Sequence, residues 1–305
     1  MVMQRRPIAA LRSRMHRFLS RLADQPVCYF KTPGNAGDAL IHAGTMAAFD
    51  RALVRWDAVQ PGDDLTGRTL LIGGGGNLTP TYDHVEVALR AFLETDPGRI
   101  IILPCGPRGH TSVLSQLRRR DLVICRDRVG YRHVRSIGTA RVRLDHDMAF
   151  HLDAENFLND QRIAAVSGQF LIERLAARGW TLQQFSGRPT MTFTRTGSER
   201  AESSPLTDID ISHELIFGDV SDVSPIAAWG LLECIRSSRR IVTDRLHVGI
   251  GAGLLGVPTE LLANSYDKNR SVFDYSLHKL NSVHFSLLAA RSKSTSVAEV
   301  QQHDR

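Results

Sequence analysis

The stretch RTLLIGGGGN, residues 68–77, decides the fold class of this chain. A short apolar run followed by four glycines is typical of a buried strand that ends in a tight turn. Similar runs recur at 26–30, 99–103, 121–125 and 142–144, and helical patterns separate most of them. Since strand–helix alternation produces parallel strands with helices on both faces, we predict an α/β fold.

A second and smaller strand–helix series follows residue 188, so we expect two α/β domains that face each other across a cleft. Ligands should lie in that cleft, at the carboxyl ends of the strands. The acidic stretch 197–224 is expected to be a solvated loop. The predicted segments are a basic amphipathic helix at 1–24, a first domain at 25–155, a helical linker at 156–187, a second domain at 188–276, and a terminal helix with a polar tail at 277–305.

Composition excludes several classes of protein. No apolar run reaches the length of a membrane span, and arginines interrupt the apolar stretches of the N-terminus where a secretory signal would lie, so we expect a cytoplasmic protein. The net charge of +6 is the only feature that favours nucleic-acid binding, because no zinc-finger spacing or aromatic–basic interleaving accompanies it. The four widely spaced cysteines are expected to be buried free thiols, without a zinc site or disulfide framework.

Residues 5–22 combine apolar positions at helical spacing with several arginines, which predicts a basic amphipathic helix. Two interpretations are open. The apolar face either packs on the protein or rests on an anionic membrane surface.

The four glycines at 73–76 match neither the Gly-x-Gly-x-x-Gly pattern, since Leu78 stands at the third glycine position, nor a P-loop. A nicotinamide enzyme and a nucleotide triphosphatase are therefore disfavoured. Asn77 and Tyr82, which follow, carry groups suited to sugar hydroxyls. The turn GNAGD at 34–38 opens a helix after the first strand, and its Asp38 is either a helix cap or a base.

Thr243-Asp-Arg-Leu-His247 follows a later strand and begins a helix. Arg245 has the geometry to bind a carboxylate or phosphate, and His247 can deliver a proton near neutral pH. Arg126 adds a cation at another strand end, and the polar loop 264–270 contributes Lys268. Asp145-His146-Asp147 has metal-ligand residue types, but three consecutive residues lack the geometry of a known site.

Taken in order, seven segments resemble the polysaccharide pyruvyl transferase family. They are GNAGDALI (34–41), LIGGGGNLTPTY (71–82), IILPCGP (101–107), CRDRVGY (125–131), DHDMAF (145–150), VTDRLHVGIGAGLLGVP (242–258) and NSYDKNRSVF (264–273). The resemblance implies two Rossmann-like domains similar to the GT-B glycosyltransferases. It also implies transfer of pyruvate from phosphoenolpyruvate to a sugar of a cell-surface glycan precursor, with no cofactor. In one departure, Gly249 stands where many members carry a second histidine.

The resemblance also suggests roles for individual residues. Arg245, Arg126 and Lys268 would hold the donor's carboxylate and phosphate, His247 would be the general acid, and Asp38 the base. Further substrate contacts are expected from Asn35, Asn77, Tyr82, Asn264, Ser265 and Asn269.

The first domain would be the acceptor side and the second the phosphoenolpyruvate side. The acceptor is expected to be a lipid-linked oligosaccharide, reached at the inner face of the membrane. Two alternatives are open: a GT-B glycosyltransferase that uses a nucleotide sugar, and a binding module without activity.

Overall fold

The computed structural model describes residues 2–197, 200–216 and 223–286. Its larger sheet has six parallel strands: β1 (Val27–Phe30), β2 (Trp56–Ala58), β3 (Thr69–Ile72), β4 (Arg99–Cys105), β5 (Leu122–Cys125) and β6 (Arg141–Leu144). Their order is β2-β1-β3-β4-β5-β6, so the chain reverses its direction of travel between β1 and β3. Such switch points leave a crevice at the carboxyl ends of the strands. The apolar pattern misses only β2, whose three residues are exposed.

The smaller sheet is also parallel. It contains β7 (Met191–Phe193), β8 (Ile241–Thr243), β9 (Thr259–Leu262) and β10 (Val283–Ser286), in the order β10-β9-β8-β7. The two sheets confirm the predicted α/β fold. Of the helix expected from residue 277 onward, the structure has only the 3-10 turn Leu277–Lys279, and the expectation is wrong at 283–286, because β10 pairs in register with β9 and buries Val283. Residues 287–305, the rest of that segment, lie outside the described residues.

Twelve helices of the described ranges connect and cover these strands. They are α1 (Val2–Leu19), α2 (Ala36–Ala52), α3 (His84–Glu94), α4 (Thr111–Leu114), α5 (Arg128–Ile137), α6 (Ala154–Leu158), α7 (Gln161–Ala176), α8 (Leu182–Gly187), α9 (Ile211–Glu214), α10 (Ser224–Arg236), α11 (Leu246–Leu255) and α12 (Lys268–Tyr275). Short 3-10 turns occupy Ser20–Leu22, Met148–His151 and Leu277–Lys279.

The N-terminal helix α1 packs on the protein through its apolar face. Leu11, Met15 and Leu19 have no exposed surface. The Arg12 side chain donates from Nε to the carbonyl of Phe150 (2.6 Å) and from Nη2 to that of Leu152 (2.7 Å). Of the two interpretations open from the sequence, the packed helix is therefore the one observed.

Helix α2 lies between the two sheets. Its Leu40 belongs to one continuous apolar cluster that also contains Leu232 of α10 and Ile250 of α11. On the other side of α2, Ile41 belongs to a separate apolar cluster that contains Tyr29 of β1. Because α2 contributes to both clusters, its packing fixes the position of one sheet relative to the other, and with it the cleft between their carboxyl ends.

Two further expectations concern the chain as a whole. All four cysteines are buried free thiols, as predicted. Over 2–197, 200–216 and 223–286, no helix combines the length and the apolar character that crossing a bilayer requires.

Candidate active site

A cleft of about 600 Å³ opens between the carboxyl ends of the two sheets. The larger sheet contributes the turn after β1, the glycine turn after β3 and Arg126 after β5. The smaller sheet contributes Arg195 after β7, Arg245 to His247 after β8, and Lys268 at the start of α12. Residues separated widely in sequence meet here because parallel strands end at one edge of a sheet. We call the part around Arg126, Arg195, Arg245, His247 and Lys268 the cationic chamber.

Two buried residues, Arg126 and Asp147, and the half-buried His247 form a triad at one side of this chamber. Arg126 Nη1 donates to Asp147 Oδ2 at 2.7 Å, and His247 Nε2 lies 3.4 Å from both groups. Burial alone would raise the pKa of Asp147, but the hydrogen bond and charge of His247 and the charge of Arg126 hold it well below its usual range. Asp147 is therefore a carboxylate that orients a guanidinium and an imidazole together.

His247 lies in the first turn of α11, and its position depends on a glycine in α2. A Cβ on Gly37 would lie 2.7 Å from His247 Nδ1, inside contact distance. The second glycine of the sequence GNAGD thus lets the imidazole approach the start of α2.

Arg245 forms a two-point ion pair with Asp210. Its Nε donates to Asp210 Oδ1 at 2.9 Å, and its Nη2 donates to Oδ2. Asp210 is 3% exposed and also accepts from the backbone N–H of Thr196 at 3.1 Å. The expectation of a solvated loop at 197–224 is therefore wrong at Asp210, because this carboxylate is needed to balance a buried guanidinium.

Arg195 is a cation of the chamber that sequence reasoning missed. It lies two residues after the end of β7, much as Arg126 follows β5, and that position was a usable signal. Its backbone N–H donates to Asp244 Oδ1 at 2.8 Å, and Asp244 Oδ2 accepts from the Ser204 hydroxyl at 3.0 Å. These two hydrogen bonds fix the loop around Arg195. Burial raises the pKa of Asp244 above its usual value.

Lys268 reaches the chamber from a loop that is tied to the larger sheet by Arg108. Arg108 Nη2 donates to Asp127 Oδ1 at 3.0 Å and to Asp267 Oδ2 at 2.8 Å. Asp127 belongs to the larger sheet's side of the cleft and Asp267 precedes Lys268 directly. Nothing in the local sequence marks Arg108 for this role.

Asp38 and Asn35 form the helix cap of α2 and also line the cleft. Asn35 Oδ1 accepts from Gly37 N at 2.7 Å, and Asp38 Oδ2 accepts from Asn35 N at 2.9 Å. Asp38 thus uses one oxygen for the cap. Of the two predicted sugar contacts, Tyr82 lines the cleft, and Asn77 lines it while donating from Nδ2 to the carbonyl of Pro33 at 2.9 Å.

Asn264, Ser265 and Asn269 do not line the cleft, contrary to expectation. Asn269 is fully buried and donates from Nδ2 to the carbonyls of Asp244 (2.7 Å) and Leu262 (2.9 Å). Asn264 Oδ1 accepts from Asn269 N at 3.2 Å, whereas Ser265 is exposed. The two asparagines satisfy backbone groups of a buried loop and so position Lys268.

The three side chains of segment 145–147 form hydrogen bonds with different partners and do not converge on one point. Asp145 Oδ1 accepts from the backbone N–H of His146 at 2.8 Å, and His146 Nδ1 lies 2.7 Å from the Ser276 hydroxyl. Burial lowers the pKa of His146 to about 3. In the part of the chain that the structure describes, no group of three or more His, Cys, Asp and Glu side chains is arranged to hold a metal ion.

Comparisons with known proteins agree with this architecture. A functionally uncharacterized protein from Klebsiella pneumoniae subsp. pneumoniae NTUH-K2044 superimposes with a TM-score of 0.71 at 23% identity, over 90% of this chain and 98% of that one. At this identity the likeness shows the fold alone. A search of curated proteins finds no significant match.

A family model described as polysaccharide pyruvyl transferase matches residues 35–189, which is just over half of the chain. The matched range includes the capping turn of α2, the glycine turn, Arg126 and Asp147, and it ends before Arg195 and Arg245. The chain therefore belongs to the polysaccharide pyruvyl transferase family, whose members are transferases.

Proposed function

We propose that this enzyme transfers pyruvate from phosphoenolpyruvate to a sugar of an exopolysaccharide or other cell-surface glycan precursor, forming a ketal and releasing phosphate. The observation that carries the proposal is the cationic chamber, where three arginines and a lysine line one cleft beside His247. A small substrate with both a carboxylate and a phosphate matches such a site in charge.

Two of the arginines are already oriented. Asp147 holds one edge of Arg126 and Asp210 holds one edge of Arg245, so the remaining N–H donors of each point in fixed directions. Preorganised donors lose little conformational entropy when an anion binds. Arg195 and Lys268, each 8% exposed, reach the same space from other loops. We assign the donor's phosphate and carboxylate to these four side chains.

The chemistry requires one acid and one base. A proton adds to the methylene carbon of phosphoenolpyruvate while a sugar hydroxyl attacks the adjacent carbon and gives up its own proton. A second hydroxyl of the sugar then attacks the same carbon, and its proton leaves with the phosphate as the C–O bond to phosphate breaks. One phosphoenolpyruvate and one diol thus give one ketal and one phosphate.

His247 is our candidate for the acid. Its imidazole borders the cleft beside Asp147, whose carboxylate stabilises an imidazolium, and Arg126 is close enough to stabilise the imidazole once the proton has left. Asp38 is our candidate for the base. The cap that it makes with Asn35 fixes the orientation of its carboxylate at the rim of the chamber.

We also infer a GT-B-like placement of two Rossmann-like units, supported by the strand ends of both parallel sheets that border one cleft. A lipid-linked acceptor would then be met at an anionic membrane surface. The exposed side of α1 and of the 3-10 turn after it, with Arg14, Arg17 and Arg21, has the charge for such a contact, whereas the apolar side of α1 is buried. Co-sedimentation with phosphatidylglycerol vesicles that falls steeply with salt would support this contact.

The function is tested by mass spectrometry of lipid-linked oligosaccharides incubated with the protein and phosphoenolpyruvate. We expect a mass gain of one ketal-linked pyruvate and an equal amount of released phosphate. Calorimetric titration with phosphoenolpyruvate and with nucleotide sugars distinguishes the proposed pyruvyl transferase from the alternative, a glycosyltransferase that uses a nucleotide sugar. Tight binding of a nucleotide sugar without binding of phosphoenolpyruvate would overturn the proposal.

A further inference from the structure

The cleft continues beyond the cationic chamber into a second space of about 470 Å³. We call it the second chamber; it lies between the loops after β1 and β2, helix α3, and the start of α10. The two chambers share six lining residues: Pro33, Gly34, Asn35, Asp38, His84 and Ile216. A substrate in one chamber is therefore in direct reach of a substrate in the other.

The chemistry of the second chamber differs from that of the first. Its lining includes Val87, Ala88, Leu215 and Ala227 and a single lysine, whereas three arginines and a lysine line the first chamber. An apolar wall with a few polar groups at its rim matches a sugar, which has apolar C–H faces and a rim of hydroxyls.

Charge in the second chamber argues against an anionic ligand. Asp38 and Asp83 bring two carboxylates to its lining and Lys31, which donates to the Ser224 hydroxyl, brings one ammonium group, so with histidine counted as neutral the lining has a net charge of −1. Two carboxylates disfavour a uronic acid or other acidic sugar through like-charge repulsion. The same carboxylates are good acceptors for hydroxyl groups.

Asp38 connects the two chambers. Its carboxylate borders both, with one oxygen engaged by the N–H of Asn35. The carboxylate would therefore lie between a sugar hydroxyl in the second chamber and a donor in the first.

From these observations we propose that the second chamber is the acceptor subsite, and that it takes an uncharged sugar whose apolar face lies on Val87 and Ala227. This inference rests on the proposed function for the identity of the donor, but the chamber can be tested by binding alone. Val87 is the most useful position because it is 59% exposed on α3 and lines only the second chamber.

The test compares Val87→Trp with Val166→Trp, a matched control that is 57% exposed on α7 and lines neither chamber. The probe is p-nitrophenyl β-D-glucoside, followed by saturation-transfer NMR, and phosphoenolpyruvate is titrated by calorimetry. We expect Val87→Trp to raise the Kd of the glucoside by about tenfold or more, because an indole fills the space of the sugar, and to leave the Kd of phosphoenolpyruvate within about twofold. The control should change neither value.

The charge selectivity is tested with p-nitrophenyl β-D-glucuronide, which should bind the wild-type protein about fivefold or more weakly than the glucoside. Equal or tighter binding of the glucuronide would overturn the uncharged-sugar assignment. No glucoside signal on the wild type, or equal effects of the two tryptophan variants, would overturn the acceptor subsite itself. If circular dichroism shows that Val87→Trp is unfolded, Gln60→Trp, an exposed position on the loop after β2, replaces it.

The outcome also separates this inference from the proposed function. Failure of the wild type to bind phosphoenolpyruvate would overturn the donor assignment, and the glucoside titrations would still decide what the second chamber binds. Normal phosphoenolpyruvate binding with no effect of Val87→Trp would leave the donor assignment intact and remove the subsite.

Discussion

Asp210 holds Arg245 through two hydrogen bonds across 35 positions of sequence, and this pair forms one wall of the cationic chamber. The carboxylate is 3% exposed and the arginine 8%. At this burial a charge is stable only when it is paired, so the carboxylate of Asp210 and the guanidinium of Arg245 each need the other to remain charged inside the protein. The pair fixes which guanidinium edge faces the cleft.

Removal of Asp210 should therefore damage both stability and donor binding. Asp210→Ala leaves the buried guanidinium uncompensated, and we expect the free energy of unfolding to fall by about 3–5 kcal/mol. The Kd of phosphoenolpyruvate should rise by about tenfold as Arg245 loses its orientation. Urea denaturation and calorimetry measure the two effects.

The control for this change is Glu214→Gln, which breaks the surface pair with Arg178, an arginine whose side chain is 59% exposed. Such a pair contributes about 1 kcal/mol or less. If Asp210→Ala were no more disruptive than Glu214→Gln, the interpretation of Asp210 as the anchor of Arg245 would be wrong.

His247→Gln should separate chemistry from binding. Loss of a general acid lowers kcat by roughly 10²–10⁴-fold, while the Kd of phosphoenolpyruvate should stay within about threefold because the arginines hold the anion. Phosphate release in the presence of acceptor gives kcat. The exposed His284 supplies the matched variant His284→Gln, which should behave as wild type. Retention of full turnover by His247→Gln would remove the histidine from the mechanism.

Two substitutions separate the role of Asp38 as a helix cap from its proposed role as a general base. Asp38→Asn keeps an oxygen for the N–H of Asn35, so the melting temperature should change little, but the variant has no carboxylate and kcat should fall by about 10²-fold or more. Asp38→Ala should lose the same activity and also about 1 kcal/mol of stability, the usual cost of a lost cap. Equal kcat for Asp38→Asn and wild type would reduce Asp38 to a cap.

Arg108 is expected to act as a positioning residue. Arg108→Gln removes the ion pairs with Asp127 and Asp267, so the loop that carries Lys268 should lose its fixed place. We expect the KM for phosphoenolpyruvate to rise by about fivefold or more, with a smaller change in kcat. Arg270→Gln, which breaks the exposed pair with Asp274, is the neighbouring control. The prediction fails if both variants shift KM equally.

Two buried histidines should make the fold sensitive to acid. Burial lowers the pKa of His146 and of His151 to about 3 in the folded state, below the value near 6.5 of an unfolded histidine. Between these values the unfolded state binds more protons, so stability rises with pH and falls as acid is added. Each group should contribute about 1.4 kcal/mol of lost stability per pH unit across that window.

The measurement is urea denaturation from about pH 7 to about pH 4 for wild type and for His151→Gln. The variant should show a shallower loss of stability with falling pH. An unchanged slope would mean that His151 is already protonated in the folded protein. Because its side chain is 1% exposed, an uncompensated imidazolium at that place would be costly.

Much of the candidate site could be predicted from the sequence, because its residues follow the ends of predicted strands. Arg126 and His247 were predicted because each follows an apolar run, and the carboxyl ends of parallel strands share one edge. Arg195 obeys the same rule, and the strand before it was expected, but the residue was missed because none of the seven segments that resemble the family covers it. Asp210 gives no such signal, since it lies in a polar acidic stretch where buried and solvated carboxylates have the same appearance.

The polar loop at 264–270 shows the limit of composition. It was expected to contribute a row of substrate contacts, but Asn269 faces inward to backbone carbonyls and Ser265 faces solvent. Residue type reports which groups can form hydrogen bonds, and only the packed chain decides whether backbone, water or a ligand receives them.

The sequence by itself determined the α/β class, the positions along the chain of the strands other than β2 and β10, the glycine turns, and the residue types at the strand ends, because these depend on local periodicity and on turn chemistry. The tertiary structure alone decided that Arg126 meets His247 across 121 positions, that Asp210 returns to hold Arg245, and that a second chamber lies beside Asp38. Those contacts arise when α2 packs between two sheets, and a packing arrangement is a property of shape and burial that no local pattern encodes.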